Sequence, residues 1–205
     1  MISLYPKEDD DVMYSRCSTT KAAAQQRLIE RCLLNVMQHT PYEKITVSSL
    51  CEHAELSRKT FYRLFDSKED VLHALIDHTI LDFESFDYSV PDGTEQAYGE
   101  LLRYFAYWRH CKPLLDALSS NRQSTLLLER CLIHISTEDS EVVRVMGAKL
   151  HPFSSEIVLF SLCGIMGLVI SWHHRGYDKS IQDMASIMHH LLTNPPIDIY
   201  ADNLK

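Results

Sequence analysis

The sequence is poor in the residues that make loops and sheets. Its 205 residues hold only six glycines and seven prolines, too few for a loop-rich β fold, and the chain reads as mostly helix. None of its six cysteines forms a C-x-x-C pair. Most sit inside apolar helical patterns, where a free thiol acts as a small hydrophobe. The opening "MISLYPKEDDDVMY" lacks the basic start and apolar run of a secretion signal. The longest apolar stretch, "IVLFSLCGIMGLVISW" (157–172), is broken by serines and glycines and falls short of a bilayer span. The expectation is a soluble, cytoplasmic protein in a reducing compartment, with no membrane partner.

Missing chemistry narrows the function. There is no G-x-S-x-G elbow, no cysteine with a placed histidine partner and no glycine-rich phosphate loop. Eleven histidines are present, but His173-His174 and His189-His190 are adjacent pairs. Neighbours on a helix point about 100° apart, so they do not chelate as an i, i+4 pair does. His73 and Asp77 have the i, i+4 spacing but lie on a helix read here as exposed. No metal, no cofactor and no enzyme activity are expected.

Charge is present but uneven. Twenty Lys and Arg against 28 Asp and Glu leave a formal charge of −8, which is wrong for a nucleic-acid partner if it is spread evenly. From Arg16 to Ile80, however, nine basic residues stand against eight acidic ones. Arg58, Lys59, Arg63 and Lys68 cluster where the only acid is Asp66. Local charge decides whether a surface approaches phosphates.

The pattern along the chain is all-α. An acidic arm (1–17) precedes a helix capped near Thr19 or Thr20 that stops before Pro41. A second helix spans about 46–54, with Val47, Leu50, Cys51 and Ala54 on one face. A short turn through Glu55 and Leu56 leads to Ser57, an N-cap for a third helix reaching about Leu64. Ser67-x-x-Asp70 resembles a capping box and opens a fourth helix running past Ile80. "SFDYSVPDGTE" is the clearest break. Beyond it, helices are expected near 94–110, 113–120, 122–136, 154–174 and 178–192, with a weaker stretch around 139–150. Pro195-Pro196 ends the regular structure. The domains read as 18–80, including the connecting fourth helix, and 81–196, with a tail at 197–205.

Two short helices joined by a tight turn and braced by a third make a helix-turn-helix, whose second helix enters the DNA major groove. Here that helix reads Ser57-Arg58-Lys59-Thr60-Phe61-Tyr62-Arg63. Phe61 and Phe65 anchor it inward, leaving a donor-rich outer face. Arg58 suits the fork of guanine O6 and N7, and Lys59, Tyr62, Arg63 and Lys68 suit phosphates.

The run "YEKITVSSLCEHAELSRKTFYRLFDSKEDVL" (42–72) resembles the DNA-binding domain of the tetracycline-repressor (TetR) family. The shared features are the I-T-V entry to the second helix, Ala54 before the turn, Ser57, T-F-Y-R-L-F and S-K-E. The resemblance implies a homodimeric, ligand-controlled transcription regulator, usually a repressor, with a three-helix DNA-binding domain followed by a larger helical effector-binding and dimerisation domain. It implies that Thr46 and Ser48 touch the DNA backbone and that Ser57, Arg58, Lys59 and Thr60 face the groove. Tyr62 and Lys68 would hold phosphates. Glu55 departs from the family, which often has Gly there, so the turn either avoids positive φ or tolerates strain.

"LCGIMGLVISWHHRGYDKSIQDMASIMHHLL" (162–192) is similar to the C-terminal domains of dihydroxyacetone-kinase-operon regulators within that family. Ser161, Gly164, Gly167 and Ser171 fall on one third of the helix circumference. Such a small-residue stripe suits either close packing within the subunit or a second copy, and the resemblance favours the dimer. Leu101, Leu102, Phe105 and Trp108, with Leu114, Leu115 and Leu118, are either plain core or the wall of an effector pocket. The expected partners are thus a double-stranded DNA operator, a second copy and a small-molecule effector. The alternative is a TetR-like sensor or protein-interaction partner that does not bind DNA.

Overall fold

A computed structural model describes residues 19–135 and 154–194. The acidic arm, the stretch around 139–150, Pro195-Pro196 and the tail lie outside the described residues. Nine α-helices and one 3-10 turn account for the regular structure described, and no strand occurs among the described residues. The helices are α1 (Thr20–Met37), α2 (Val47–His53), α3 (Arg58–Tyr62), α4 (Lys68–Asp82), α5 (Gln96–His110), α6 (Lys112–Ser120), α7 (Ser124–Ile135), α8 (Ser154–His174) and α9 (Ile181–Thr193).

Local chemistry sets the helix starts. Thr19 caps α1, its hydroxyl accepting the Ala22 N–H at 3.2 Å. Thr46 and Ser49 form a reciprocal capping box at α2, and Ser57 caps α3 through the Thr60 N–H at 3.1 Å. At α4 the Ser67 N–H donates to Asp70 Oδ2 (2.8 Å), while the Asp70 N–H donates to Ser67 Oγ (3.1 Å). Each box satisfies two amides that a helix start otherwise leaves open.

The chain divides into two compact units, and neither is a continuous stretch. Among the described residues, the first combines 19–81 with 113–135 and 154–162. This division differs from a simple split near residue 80: α6 and α7 fall in the same unit as α1 to α4. The buried apolar residues of this unit include Ile29, Leu33, Leu50, Phe61, Phe65, Leu72, Ile76, Leu118 and Leu127.

Two charged clusters are enclosed in the same unit. Arg130 of α7 forks onto Asp77 of α4, its Nε 2.7 Å from Oδ1 and a terminal nitrogen on Oδ2. His134 Nε2 stands 3.1 Å from the same carboxylate. On α1, buried Glu30 meets His78 Nδ1 at 2.8 Å. This corrects the sequence expectation that the His73–Asp77 face of α4 is exposed. Asp77 is buried, because a partner 53 residues further on neutralises it. Burial alone would raise its pKa, but the hydrogen bonds from His134 and Arg130 outweigh that and pull it down to about 2.

The second unit holds, among the described residues, 82–112 and 163–194. Within it α5 packs along α9, and Tyr98 Oη lies 3.0 Å from Ser186 Oγ. Phe105 meets Trp172 edge to face at 5.9 Å. The indole N–H of Trp172 donates to the Lys179 carbonyl at 3.0 Å, bracing the turn that ends α8. That turn takes two left-handed residues, Gly176 (φ 67°) and Tyr177 (φ 60°). The next helix, Ile181–Thr193, is capped by Ser180, the polar helix start read from the sequence.

Candidate DNA-binding site

The helix-turn-helix is built around α3. Phe61, Leu64 and Phe65 are buried, and the tilted rings of Phe61 and Phe65 have centroids 5.9 Å apart. With these three inward, Ser57, Arg58, Lys59, Tyr62 and Arg63 stand exposed and Thr60 half-exposed. This is the arrangement expected from the sequence: an apolar seam and, opposite it, a row of donors. Thr46 and Ser48 are exposed at the start of α2.

The hydroxyls on this surface also do structural work. Thr46 Oγ1 accepts the Ser49 N–H at 3.1 Å, and Ser57 Oγ lies 2.9 Å from Thr60 Oγ1. Thr46, Ser57 and Thr60 thus shape the helix ends as well as lining the face.

The basic residues differ from one another. Arg58 donates to Tyr62 Oη at 3.4 Å, with its guanidinium carbon 5.8 Å from that ring's centre. The Tyr62 hydrogen bond raises the pKa of Arg58 still further. Arg63 donates to Gln25 Oε1 of α1 at 2.9 Å, tying the end of α3 to the helix that braces it.

Lys68 is half-buried and engaged with the backbone. Its Nζ donates to the carbonyls of Tyr42 (2.9 Å) and Ile45 (3.1 Å) and lies 4.4 Å from the centre of the Tyr42 ring. Two carbonyls and an aromatic face replace the water that an ammonium needs. The lysine ties the start of α4 to the entry of α2. Tyr42, which sequence reading did not single out, is buried and forms the floor of this contact. Burial, with Glu69 beside it, pushes its phenol pKa up, so the ring stays neutral.

The turn between α2 and α3 resolves the question posed by Glu55. This residue takes φ 51°, the left-handed region that favours glycine. The turn therefore tolerates strain rather than avoiding it. It closes with the Leu56 N–H donating to the Cys51 carbonyl at 2.9 Å.

The remaining sequence candidates lie elsewhere. Leu101, Leu102, Phe105 and Trp108 are buried in the second unit, and Leu114 and Leu118 are buried in the first. On α8, Gly164 and Gly167 are exposed, and a Cβ on either would meet nothing within 4 Å. Ser161 departs from that stripe: it is buried, at 9% exposure. Ser171 is half-buried and accepts a hydrogen bond from Arg175.

A short helix with a buried apolar seam and an exposed N-terminal row of donors, entered through a tight turn from a second helix, has the form of a helix-turn-helix unit. Residues 34–75 match the family model described as bacterial regulatory proteins, tetR family. That stretch is similar to the DNA-binding domain of tetR-family regulators, which supports a DNA-binding transcriptional regulator. Among solved structures, the dihydroxyacetone kinase operon activator DhaS shares the fold, with a TM-score of 0.52 at 18% identity. The match covers 83% of this chain and 95% of that one. No curated protein matches the chain. Among the described residues, no helix is long and apolar enough to cross a membrane.

Proposed function

We propose that the protein is a cytoplasmic repressor that binds a palindromic operator as a homodimer and is controlled by a small-molecule effector. The observation that carries the DNA-binding part is the exposed row Ser57, Arg58 and Lys59 at the N-terminus of α3, over buried Phe61 and Phe65. In a two-fold dimer the two α3 helices would enter successive major grooves about one helical turn apart. Arg58 would fork onto guanine O6 and N7, with Lys59, Tyr62 and Arg63 on phosphates. Thr46 and Ser48 would meet the sugar-phosphate backbone beside α2.

Dimerisation is proposed through the exposed side of α8. Gly164 and Gly167 leave room for close approach by a second helix, and Phe160 on the same helix is 73% exposed. A side chain so large and so open on an otherwise apolar helix fits a surface meant to be covered. For the effector, we place binding beside the large side chains of α5, Leu101, Leu102, Phe105 and Trp108. A ligand acts there only by binding one state of the regulator more tightly than the other.

The test is binding to the DNA immediately upstream of its own gene, against a scrambled fragment, at two salt concentrations. Selective binding with a steep negative slope of log K against log salt is expected, reflecting roughly four to eight neutralised phosphates per dimer. Unselective binding, both to this fragment and to sites drawn from a random-sequence library, would sink the reading. DhaS is named an activator, so a reporter fused to the bound promoter decides the sign: deletion of the regulator raises expression for a repressor and lowers it for an activator.

A further inference from the structure

We propose that Asn121, far from the DNA-reading helix in sequence, is a positioning residue for it, acting through the peptide groups of Tyr42. The inference rests on the DNA-binding reading above. Asn121 follows the last residue of α6. Its Nδ2 donates to the Ala117 carbonyl at 2.7 Å, which fixes the amide so that Oδ1 points away from its own helix. That oxygen accepts the N–H of Tyr42, 79 residues earlier.

Tyr42 opens the 3-10 turn (Tyr42–Lys44) that leads into α2. Its N–H is one of the donors that a helix start leaves without an internal partner. On its other side, the Tyr42 carbonyl receives Lys68 Nζ at 2.9 Å. The same ammonium holds the Ile45 carbonyl, and Ile45 directly precedes Thr46, the cap of α2. One short segment is therefore gripped at its amide from the end of α6 and at two carbonyls from the start of α4. A second tie fixes the other end of α6: Gln38 Nε2, at the C-cap of α1, donates to the Pro113 carbonyl at 2.8 Å. The segment joining α1 to α2 is thus held at both ends of α6. All of these residues belong to the first unit.

The consequence is specific to base reading. Hydrogen bonds to base edges weaken steeply when donors shift or tilt, whereas phosphate attraction tolerates such shifts. Releasing the Tyr42 grip should loosen the angle at which α2 presents α3, and so cost selectivity more than affinity.

The experiment uses the full chain and a site enriched by the wild-type protein from a random-sequence DNA library, with scrambled DNA as the reference. Asn121→Ala should lower the ratio of selective to scrambled affinity by roughly tenfold, with scrambled affinity and salt slope nearly unchanged. Asn121→Asp keeps an acceptor for the Tyr42 N–H and should restore the ratio to within about threefold of wild type. Lys68→Met keeps the apolar stem and should reproduce the loss of selectivity. If Lys68→Met instead weakens all DNA alike and reduces the salt slope by about one, Lys68 is a phosphate contact and the proposal fails. Equal loss on both DNAs in Asn121→Ala, or no loss, also overturns it.

Hydrogen exchange of the peptide carrying Tyr42 separates this proposal from the DNA-binding reading. Faster exchange there in Asn121→Ala supports the grip even if wild type enriches no DNA site, an outcome that would count against DNA binding alone. Unchanged exchange removes the grip.

Discussion

Arg58 on α3 is exposed and donates to Tyr62 one turn further along its own helix, whereas Arg130 on α7 is 7% exposed and forks onto Asp77 of α4. The same side chain serves opposite purposes. Holding a hydrated charge at a surface costs the fold almost nothing and leaves its donors open to a partner. A buried guanidinium spends its donors on the fold and becomes costly once its partner is lost. The first unit thus separates charge left open at the surface from charge committed to architecture.

The sharpest way to break this contrast is to remove Asp77. Asp77→Ala should destabilise by about 3–5 kcal/mol in urea unfolding, because Arg130 is left buried without its counter-ion. Replacing both residues with apolar ones of similar volume should recover much of the loss. A double variant no more stable than the single one would show that the pair is needed for more than neutralisation.

Acid probes the same pair without mutation. The guanidinium and imidazole beside Asp77 hold its carboxyl down to about 2, below the ordinary aspartate value. Its contribution, roughly 2 kcal/mol, is fully present above pH 4 to 5 and is lost as pH falls through about 2. Asp77→Asn should remove that part of the acid sensitivity, as measured by urea midpoints between pH 5 and 2.

On the recognition side, Arg58→Ala should cost about 1–3 kcal/mol on the selected DNA site and relax preference at one base pair. It should change folding stability by less than about 0.5 kcal/mol. A stability loss comparable to that of Asp77→Ala would erase the distinction between the two arginines. The smallest effect is expected at the turn. Glu55→Gly should raise stability by up to about 1 kcal/mol by relieving the positive φ, measurable as a higher urea midpoint.

The two regions were not equally legible in the sequence. The ends of α1 to α4 were readable because Thr19, Thr46, Ser57 and Ser67 signal helix starts through contacts only three residues long. The outward face of α3 followed from Phe61 and Phe65 alone. Asp77 was misread as exposed because its partner lies 53 residues away on another helix, and helical spacing carries no trace of such a pairing. Lys68 was legible as a cation but not as a tie, since the carbonyls it meets are 23 and 26 residues upstream. Backbone acceptors have no sequence signature. Asn121 offered no signal at all.

The discontinuity of the first unit bears on how the protein can be taken apart. A fragment ending near residue 80 would hold every helix of the reading head and yet lack α7. Its Asp77 would then be a bare anion among Ala74, Ile76 and their neighbours, with no guanidinium to answer it. The first unit is therefore not a portable module: cut at the end of α4, it would lose the buried ion pair that joins α4 to α7.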